Sequence, residues 1–304
     1  MAISRTQLVK ELEPGLNALF GLEYKRYENQ HAEIYTTESS DRAFEEEVML
    51  SGFANAQTKA EGQGVSFDSA QETYTARYTH DTIALAFAIT EEAIEDNLYD
   101  RIASRYTKAL ARSMSNAKQV KAVTPLNNGL SSVATFNAGD GVSLFSTNHT
   151  TISGTAVKNT LTTQADLNET SLEQGLIDIA GMTDERGLRV AARGVKMIVP
   201  SANQFNAERL MKSPGRTGTA DNDINAVSSM GMIPQGYRVN NFLTDTDSWY
   251  IITDVPNGMK MFQRAALKTA MEGDFDTGNV RYKARERYVF GCSDPRGIYG
   301  SPGA

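Results

Sequence analysis

The chain has 304 residues, of which 40% are hydrophobic and 22% charged, and its formal net charge at pH 7 is -7. No apolar run reaches the roughly 18 residues that a membrane-spanning helix needs, and the acidic balance argues against a general nucleic-acid binder. The single cysteine, Cys292, excludes an internal disulfide and a zinc site built from several thiolates. A chain of this length has room for a sizeable core, in one large domain or two ordinary ones.

The N-terminal segment predicts short helices. Between residues 6 and 27, apolar residues recur at helical spacing, but Pro14 and Gly15 interrupt the pattern. We therefore expect two short helical pieces or a loosely held arm, with tyrosines that anchor it to some other surface. These tyrosines are Tyr24, Tyr27 and Tyr35.

Residues 43–90 predict a long β-hairpin. Both ends alternate as strands do, whereas residues 55–64 are small, polar and glycine-rich. Tyr74, Ala76 and Tyr78 share one face, and the apolar residues of 83–89 follow in the opposite phase, which predicts a bulge or strand boundary near residues 80–81. An isolated hairpin is marginal in water, so we expect this one to lie on a partner.

Residues 91–124 predict one long helix. Thr90 is the expected N-cap, Glu91 and Glu92 favour the positive end of the helix dipole, and Pro125 is expected to end the helix. At about 1.5 Å per residue, the helix would extend roughly 50 Å. Its later part carries a basic face made of Arg101, Arg105, Lys108, Arg112, Lys118 and Lys121.

The remaining elements predict an α+β section. Residues 126–165 are rich in Gly, Ser, Thr and Asn, which is typical of loops, and Thr170 to Glu173 matches a capping box before an apolar helical pattern. "VKMIVP" predicts a buried strand, and Ser201 is expected to cap the helix after it. Further strands are expected at "YRVNNF", "WYIITDV", "AALKTAM" and "NVRYKARERYVF".

One segment resembles a catalytic site. "GDGVSLFSTNHTT", residues 139–151, places Ser146 and His149 close together in a chain with three histidines. A nucleophilic serine needs a base within hydrogen-bond reach, an orienting carboxylate and an oxyanion hole, and no Gly-x-Ser-x-Gly elbow surrounds Ser146. Turn-forming residues that bond their own backbone explain the cluster better. We expect Ser146 and His149 to order this loop, and we assign no catalytic residue.

The sequence predicts no cofactor and no metal site. The pairs Asp245/Asp247 and Asp274/Asp276 resemble fragments of a calcium loop but lack its remaining ligands, so we interpret them as turns. No phosphate-binding loop or dinucleotide fingerprint occurs.

A basic stripe occupies the last predicted strand. Arg281, Lys283, Arg285 and Arg287 alternate, so all four face one side of the strand. Such a row meets phosphate, solvent or carboxylates, and the acidic total favours carboxylates, for which Glu45, Glu46 and Glu47 of the same or another subunit are candidates.

Taken in order, these segments resemble the major capsid proteins of tailed bacteriophages, whose fold herpesvirus capsids share. "YTTESSDRAFEEEVMLSGFANAQTKAEGQGVSFDSAQETYTARYTHDTIALAFAITEEAIEDNLYD" is similar to the extended loop and spine-helix entry of the Mu-like head subunits. "DGVSLFSTNHT", "VKMIVPSANQFNAERLM" and "VRYKARERYVFGCSDPRGIYGS" resemble later parts of the same group.

The resemblance implies an α+β fold in five parts. Residues 1–38 would form an N-terminal arm, 39–89 an extended β-hairpin loop, 90–160 a peripheral domain with a long spine helix, 161–265 an axial domain, and 266–304 the return strands and tail. It also implies a structural protein with no enzymatic role, which forms the hexamers and pentamers of an icosahedral head around double-stranded DNA. We expect it in the virion, assembled in the host cytoplasm.

The implied partners are other copies of the chain, a portal and non-specific contact with packaged DNA, with no membrane; the resemblance leaves open whether a decoration protein binds. Because the arm begins near Met1, we expect any scaffold to be a separate protein. Lys59 is the only lysine of the hairpin, but no crosslinking motif accompanies it. The inter-subunit contact candidates are Arg42, Glu45, Glu46, Glu47, Lys59, Arg77, Arg281, Lys283, Arg285 and Arg287.

Two other functions remain open at this point. One is a soluble hydrolase using Ser146 and His149, which would stay monomeric and turn over esters until His149 is removed. The other is a DNA-binding module using the basic stripe, which would require strongly salt-dependent duplex binding by the isolated subunit.

Overall fold

The structure is a computed structural model that describes residues 5–95, 99–131, 137–216, 223–274 and 278–304. Its helices are α1 (Arg5–Arg26), α2 (Glu91–Glu95), α3 (Tyr99–Asn127), α4 (Glu169–Gly181), α5 (Gln204–Lys212) and α6 (Ala226–Met230). Its strands are β1 (Thr36–Ser39), β2 (Phe44–Leu50), β3 (Glu72–Thr79), β4 (Asp81–Ile89), β5 (His149–Thr150), β6 (Ala156–Val157), β7 (Gly194–Val199), β8 (Tyr237–Val239), β9 (Trp249–Thr253), β10 (Met259–Gly273), β11 (Val280–Cys292) and β12 (Ile298–Ser301).

Two four-stranded sheets organise the chain. The first has the order β1-β10-β11-β4 and the second β12-β9-β7-β8. A shared apolar cluster joins them, with Ile198 and Tyr250 from the second sheet packed among Met261 and Tyr288 of the first. The α+β class predicted from the sequence is therefore correct. Within the described residues, no helix has both the length and the apolar character to cross a membrane.

The N-terminal segment is one helix rather than two short pieces. α1 continues through Pro14, which is exposed, and buries Leu16 and Phe20 against α3 and β11. An interior proline costs about 3 kcal/mol, whereas fully burying two large apolar side chains gains roughly 1.5–3 kcal/mol each, so tertiary packing outweighs the break. The surface that receives this arm belongs to the same chain.

The three tyrosines predicted to anchor this segment also contact residues of the same chain. Tyr24 lies 6.0 Å from Phe20, ring centre to ring centre, and Tyr27 donates a hydrogen bond to Glu23 at 3.2 Å. Buried Tyr35 donates to the carbonyl oxygen of Ala122 in α3 at 2.6 Å. The Tyr35 hydrogen bond fixes the segment between α1 and β1 on α3.

The hairpin is shorter than predicted. β2 pairs with β3, but β4 pairs with β11 and so belongs to the first sheet. The phase change at residues 80–81 is the predicted strand boundary, since β3 ends at Thr79 and β4 begins at Asp81. Partner choice for β4 depends on residues about 200 positions later, which local alternation does not encode.

The long helix differs from its prediction at its end. Thr90 Oγ1 accepts the N–H of Ala93 at 3.4 Å, so the predicted cap is confirmed. Residues 96–98 lie outside the described residues, as do the side chains of 94–102. Pro125 does not stop α3, which ends at Asn127, because a proline in the final turn removes few helical hydrogen bonds.

The N-terminal caps of α4 and α5, the helices that pack on the second sheet, also differ from their predictions. The N-cap of α4 is Asn168, whose side chain accepts from the N–H of Ser171 at 2.9 Å while Ser171 Oγ accepts from Asn168 N–H at 3.0 Å. The capping box thus starts two residues before Thr170, with a serine in place of the expected glutamate. Ser201 makes no side-chain cap; residues 201–203 form one 3-10 turn before α5.

Two glycines meet where the tail turn crosses the start of β10. A Cβ added to Gly297 would lie 2.2 Å from Gly258 Cα, and one added to Gly258 would lie 2.7 Å from Gly297 Cα. The backbones are in direct contact here, so neither position accommodates a side chain.

We predict that Leu172→Ala lowers the free energy of unfolding by about 2–5 kcal/mol, because Leu172 is 0% exposed in the core of the second sheet. Ile177→Ala on the same helix is the control; Ile177 is 64% exposed and its loss should change stability by less than about 0.5 kcal/mol. Urea unfolding of the unassembled subunit measures both. Equal effects would contradict the assigned core face.

Candidate functional site

His149 lies in a buried polar cluster at the end of the loop that follows α3. It begins β5, which pairs with β6, and its side chain is 4% exposed. Its Nδ1 is 2.6 Å from Asp140 Oδ2, and its Nε2 is 3.2 Å from Asn159 Oδ1. Both ring nitrogens are therefore occupied by groups other than Ser146.

Ser146 uses its polar atoms to shape the loop. Its hydroxyl accepts the N–H of Asn148 at 3.1 Å, and its own N–H donates to Asn159 Oδ1 at 2.9 Å. A serine nucleophile must share its proton with the base, and His149 is committed to Asp140 and Asn159. These hydrogen bonds leave Ser146 without the base that a hydrolase needs, and the loop-ordering role of Ser146 and His149 stays a prediction.

Asn159 holds this cluster together. Its Nδ2 donates to the carbonyl oxygens of Leu144 at 2.7 Å and Pro295 at 3.0 Å. Its backbone N–H donates to the Ser146 carbonyl at 3.1 Å, and its own carbonyl accepts the N–H of Gly300 at 3.0 Å. Asn159 is 0% exposed, so its partners replace water completely. An asparagine in a polar loop gave no signal of this role.

A charged cluster lies beside His149. The Arg296 guanidinium contacts Asp294 at 2.8 Å and Glu185 at 3.3 Å, and donates to the carbonyl oxygen of Thr183 at 3.1 Å. Burial raises the pKa of Glu185, and Arg296 opposes that rise. The cavity between this cluster and His149 measures only ≈ 10 Å³, room for about one water and too small for an organic substrate.

The base of the hairpin is fastened to its own chain. Lys260 lies 3.0 Å from Glu38 and also binds Glu47, whose second oxygen accepts from the Ser293 hydroxyl. Tyr78 packs against Phe262 at 4.8 Å between ring centres. Glu47 is thus a structural residue of the subunit and is not free to pair with the basic stripe.

The other charged candidates of the hairpin are more exposed. Ser40 Oγ donates to Glu45 at 2.7 Å, and Glu46 lies 3.8 Å from Arg77, whose guanidinium stacks 3.9 Å above the Phe44 ring. The side chains of Arg42 and Lys59 are exposed and form no ion pair with any described residue. Arg42 and Lys59 are therefore candidates for contact with a partner.

The loop of the hairpin, residues 51–71, exposes large apolar side chains. Phe53 is 61% exposed, Val65 69% and Phe67 98%. Arg186 holds the loop's returning end, with its guanidinium donating to the Ser69 carbonyl oxygen at 2.5 Å. Exposed apolar groups concentrated on one projecting loop mark a protein interaction surface.

The basic stripe lies in β11, as predicted. Arg281, Lys283 and Arg285 are exposed and Arg287 is half-buried, while Tyr282, Ala284 and Tyr288 are buried on the opposite face. Arg281 binds Asp274 of the adjoining turn. Across the described chain, Lys283, Arg285 and Arg287 have no carboxylate within ion-pair distance, so the predicted pairing with Glu45–Glu47 does not form within one subunit.

A buried ion pair occupies the other face of β11. Glu286 is 0% exposed and lies 3.2 Å from Lys118 of α3. Burial raises the pKa of the Glu286 carboxyl, and Lys118 opposes that rise. The sequence held a signal for this pair, because Glu286 falls in phase with the apolar residues of its strand. Lys118 is therefore a core residue and not part of an exposed basic face.

One of the two aspartate pairs lies in a turn. Asp245 Oδ1 accepts the N–H of Asp247 at 3.1 Å, which is a turn, and Asp276 lies outside the described residues. In the described ranges no three or more His, Cys, Asp or Glu side chains gather as metal ligands do.

Comparison with known families decides what kind of protein these surfaces belong to. A family model described as phage capsid protein matches residues 73–301, which includes β3, the His149 cluster and the basic stripe. The chain belongs to this phage capsid protein family. Its role is structural, in the virion. No curated protein matches the sequence.

Solved capsids share the fold. The virus-like particle from Pyrococcus furiosus is 9% identical, with a TM-score of 0.53 over 94% of this chain and 97% of that one. The procapsid of bacteriophage JBD30 is 14% identical, with a TM-score of 0.54 over 98% and 76%, and the capsid of Myoviridae phage XM1 is 10% identical, with 0.53 over 89% of each chain. The tailed-phage major capsid fold is therefore confirmed; the Mu-like subgroup stays a prediction.

We predict that Asn159→Ala destabilises the subunit by at least about 3 kcal/mol, because it leaves the Leu144 and Pro295 carbonyls and the Ser146 N–H without partners, each worth about 1–3 kcal/mol when buried. Asn148→Ala is the matched control on the exposed part of the loop. Thermal unfolding followed by circular dichroism compares them. An Asn159→Ala protein as stable as the control would refute the central role of Asn159.

Proposed function

We propose that this phage capsid protein assembles into the hexamers and pentamers of an icosahedral head that encloses double-stranded DNA. The proposal is supported by family membership and by the likeness to capsids that form closed shells. Assembly in the host cytoplasm follows from the same hypothesis. We keep the five parts predicted from the sequence, with one change. Residues 81–89 belong to the first sheet and not to the extended hairpin loop.

The observation that carries the proposal is the hairpin loop with exposed Phe53, Val65 and Phe67. These side chains lie on a segment whose base is fastened to the subunit by Lys260 and Tyr78, so the loop is held in a fixed direction without a local core. A ring of subunits needs heterologous contacts, in which one surface of each copy meets a different surface of the next. We assign the loop as one of those surfaces.

The receiving surface is the outer face of the first sheet, where the basic stripe lies. Three cations of the stripe each lie opposite an alanine of β4. The pairs are Arg281 with Ala88, Lys283 with Ala86 and Arg285 with Ala84. The small alanine side chains leave space beside the cations for side chains of another subunit. Carboxylates of a neighbouring subunit would neutralise the basic stripe. Arg42 and Lys59 are the remaining rim charges of the hairpin, and each contributes little as an isolated pair.

The N-terminal arm has a different task from the one its sequence predicts. Because Leu16 and Phe20 are buried in the chain's own core, α1 packs on the peripheral domain of its own subunit and does not reach across to a neighbour. The other proposed partners are a separate scaffolding protein, a portal and a decoration protein. Contact with the packaged DNA would be non-specific.

We predict that the triple change Phe53→Ala, Val65→Ala and Phe67→Ala prevents shell formation while leaving the subunit folded, because it removes exposed apolar contacts and no core contact. Negative-stain electron microscopy and sedimentation velocity measure the particles. The control is Gln57→Ala, Thr58→Ala and Gln63→Ala in the same loop, which should assemble as the unaltered chain does. Normal shells from the apolar triple variant would overturn the assigned surface.

Charge reversal tests the receiving surface. We predict that Lys283→Glu with Arg285→Glu blocks assembly, whereas Lys283→Gln with Arg285→Gln only weakens it, because carboxylates of the neighbour are repelled in the first variant and merely unpaired in the second. Light scattering during assembly gives the readout. If the reversed variant assembles normally and the isolated unaltered subunit binds duplex DNA with steep salt dependence, the stripe is a DNA-binding surface instead.

A further inference from the structure

We propose that a row of three cations on the exposed side of α3 binds the phosphate backbone of double-stranded DNA without reading its base sequence. The row consists of Arg105, Lys108 and Arg112, and we call it the helix ridge. The inference rests on the proposed function and deepens it, because it assigns the surface through which a shell would contact its packaged DNA. The basic stripe of β11 is a separate surface.

The long helix collects positive charge in an acidic chain. Residues 101–127 include six lysines and arginines and no aspartate or glutamate, although the net charge of the chain is -7. Two of these cations are neutralised within the subunit, buried Lys118 by Glu286 at 3.2 Å and Lys121 by Asp81 at 2.5 Å. The side chain of Arg101 lies outside the described residues. The basic face predicted for this helix therefore reduces, in its described part, to the helix ridge.

The helix ridge lies on one side of α3 and points away from the core of the subunit. Its members are three and four residues apart, the spacings at which side chains are neighbours on a helix surface. All three side chains are exposed, whereas Leu110 and Met114 are buried on the opposite side of the helix. At about 1.5 Å per residue the ridge is roughly 10 Å long, and over that length of a duplex each strand carries about three phosphates.

The charge of the helix ridge is not balanced inside the subunit. Among the residues that the structure describes, no carboxylate lies within ion-pair distance of Arg105, Lys108 or Arg112. Like charges at these helical spacings repel one another, so the ridge slightly destabilises the free subunit until an anion covers it. Its exposed neighbours Ala109 and Asn116 have short side chains, which let a phosphate approach closely, and the Asn116 amide can donate a hydrogen bond to it.

The position of the helix ridge favours DNA over another protein. α3 packs on the face of β11 that carries Tyr282 and Ala284, while the basic stripe lies on the opposite face of that strand. A neighbouring subunit that lies on the stripe therefore leaves the helix ridge uncovered. Protein interfaces are built around an apolar centre, whereas contacts to phosphate need only cations and short hydrogen-bond donors, which the ridge presents. Such contacts carry no information about the base sequence.

Three phosphate contacts have a defined dependence on salt. The logarithm of the association constant falls by about 0.9 per logarithmic unit of salt concentration for each neutralised phosphate, so three contacts give a slope of about -2.7. Their contribution therefore decreases roughly 40-fold between about 50 and about 200 mM salt. We expect binding by one subunit to be weak, and the many copies of a shell would add their contacts along the same DNA.

The direct test is lysine footprinting of the unassembled subunit, with an excess of a mixed-sequence duplex of about 30 base pairs. Mass spectrometry measures how fast an amine-acetylating reagent modifies each lysine at about 20 mM salt. We expect the duplex to slow the modification of Lys108 several-fold, and this protection to disappear at about 300 mM salt. Lys59 of the hairpin loop and Lys283 of the basic stripe are internal references and should react at unchanged rates. An unprotected Lys108, or protection of Lys283 instead, would overturn the proposal.

Poly-glutamate distinguishes DNA from an acidic protein partner. Its charges lie about 3.3 Å apart along an extended chain, whereas a duplex carries one charge per about 1.7 Å, so we expect much less protection of Lys108 at equal total charge. Equal protection by poly-glutamate would assign the helix ridge to an acidic protein segment and contradict the assignment to DNA.

A triple variant tests all three cations together. Arg105→Gln, Lys108→Gln and Arg112→Gln should make the salt dependence of duplex binding shallower by about 2–3 in slope, measured by fluorescence anisotropy of a labelled duplex. The thermal midpoint should stay the same, because these side chains are exposed. Arg105→Lys with Arg112→Lys is the matched control, which keeps the charge and should bind as the unaltered subunit does. An unchanged slope in the triple variant would refute the helix ridge.

The two failures are distinguishable because both experiments use the unassembled subunit. Absence of shells would contradict the proposed function and leave the footprint and the salt slope intact. Normal shells from a chain whose Lys108 is never protected would contradict the helix ridge alone.

Discussion

The pairing of β10 with β11 is the contact on which the rest of the subunit depends. Its register runs from Met259 opposite Cys292 to Gly273 opposite Val280. β1 adds to one side of the pair and β4 to the other, while α1 and α3 cover the face that carries Tyr282. A shift of one residue would turn the basic stripe into the core and the tyrosine outward.

Buried charges make that register hard to change. Lys118 meets Glu286 on the helix-covered face, and Lys260 binds Glu47 at the hairpin. Leaving one member of such a pair alone in the core costs about 3–5 kcal/mol, far more than the pair contributes over an apolar replacement. The ion pairs therefore disfavour other strand registers more than they add to the stability of the native one. The native register keeps the same side chains on the outer face of every subunit.

The sequence predicted well what depends on local periodicity. The alternation in β3 and β11, the apolar face of α4 and the buried strand β7 all agree with the structure. The predictions that failed depend on distant contacts. Pro14 stays helical because a core holds α1, and β4 leaves the hairpin because its partner lies far along the chain.

The His149 cluster was half visible in the sequence. Ser146 and His149 stood out in the sequence, but Asn159 is an ordinary loop asparagine until Pro295, 136 positions later, comes within 3.0 Å of it. Arg296 was hidden for the same reason. By contrast, Glu286 could have been recognised as buried, because it alternates in phase with Tyr282, Ala284 and Tyr288.

The contact between Gly258 and Gly297 limits how this chain can vary. Because each backbone occupies the space of the other's missing side chain, a substitution at one glycine is not compensated by any change at the other. Elsewhere in a core, a larger residue at one position can be balanced by a smaller one opposite it. Here both partners already have the smallest side chain, so no smaller residue at one position can make room for a larger one at the other.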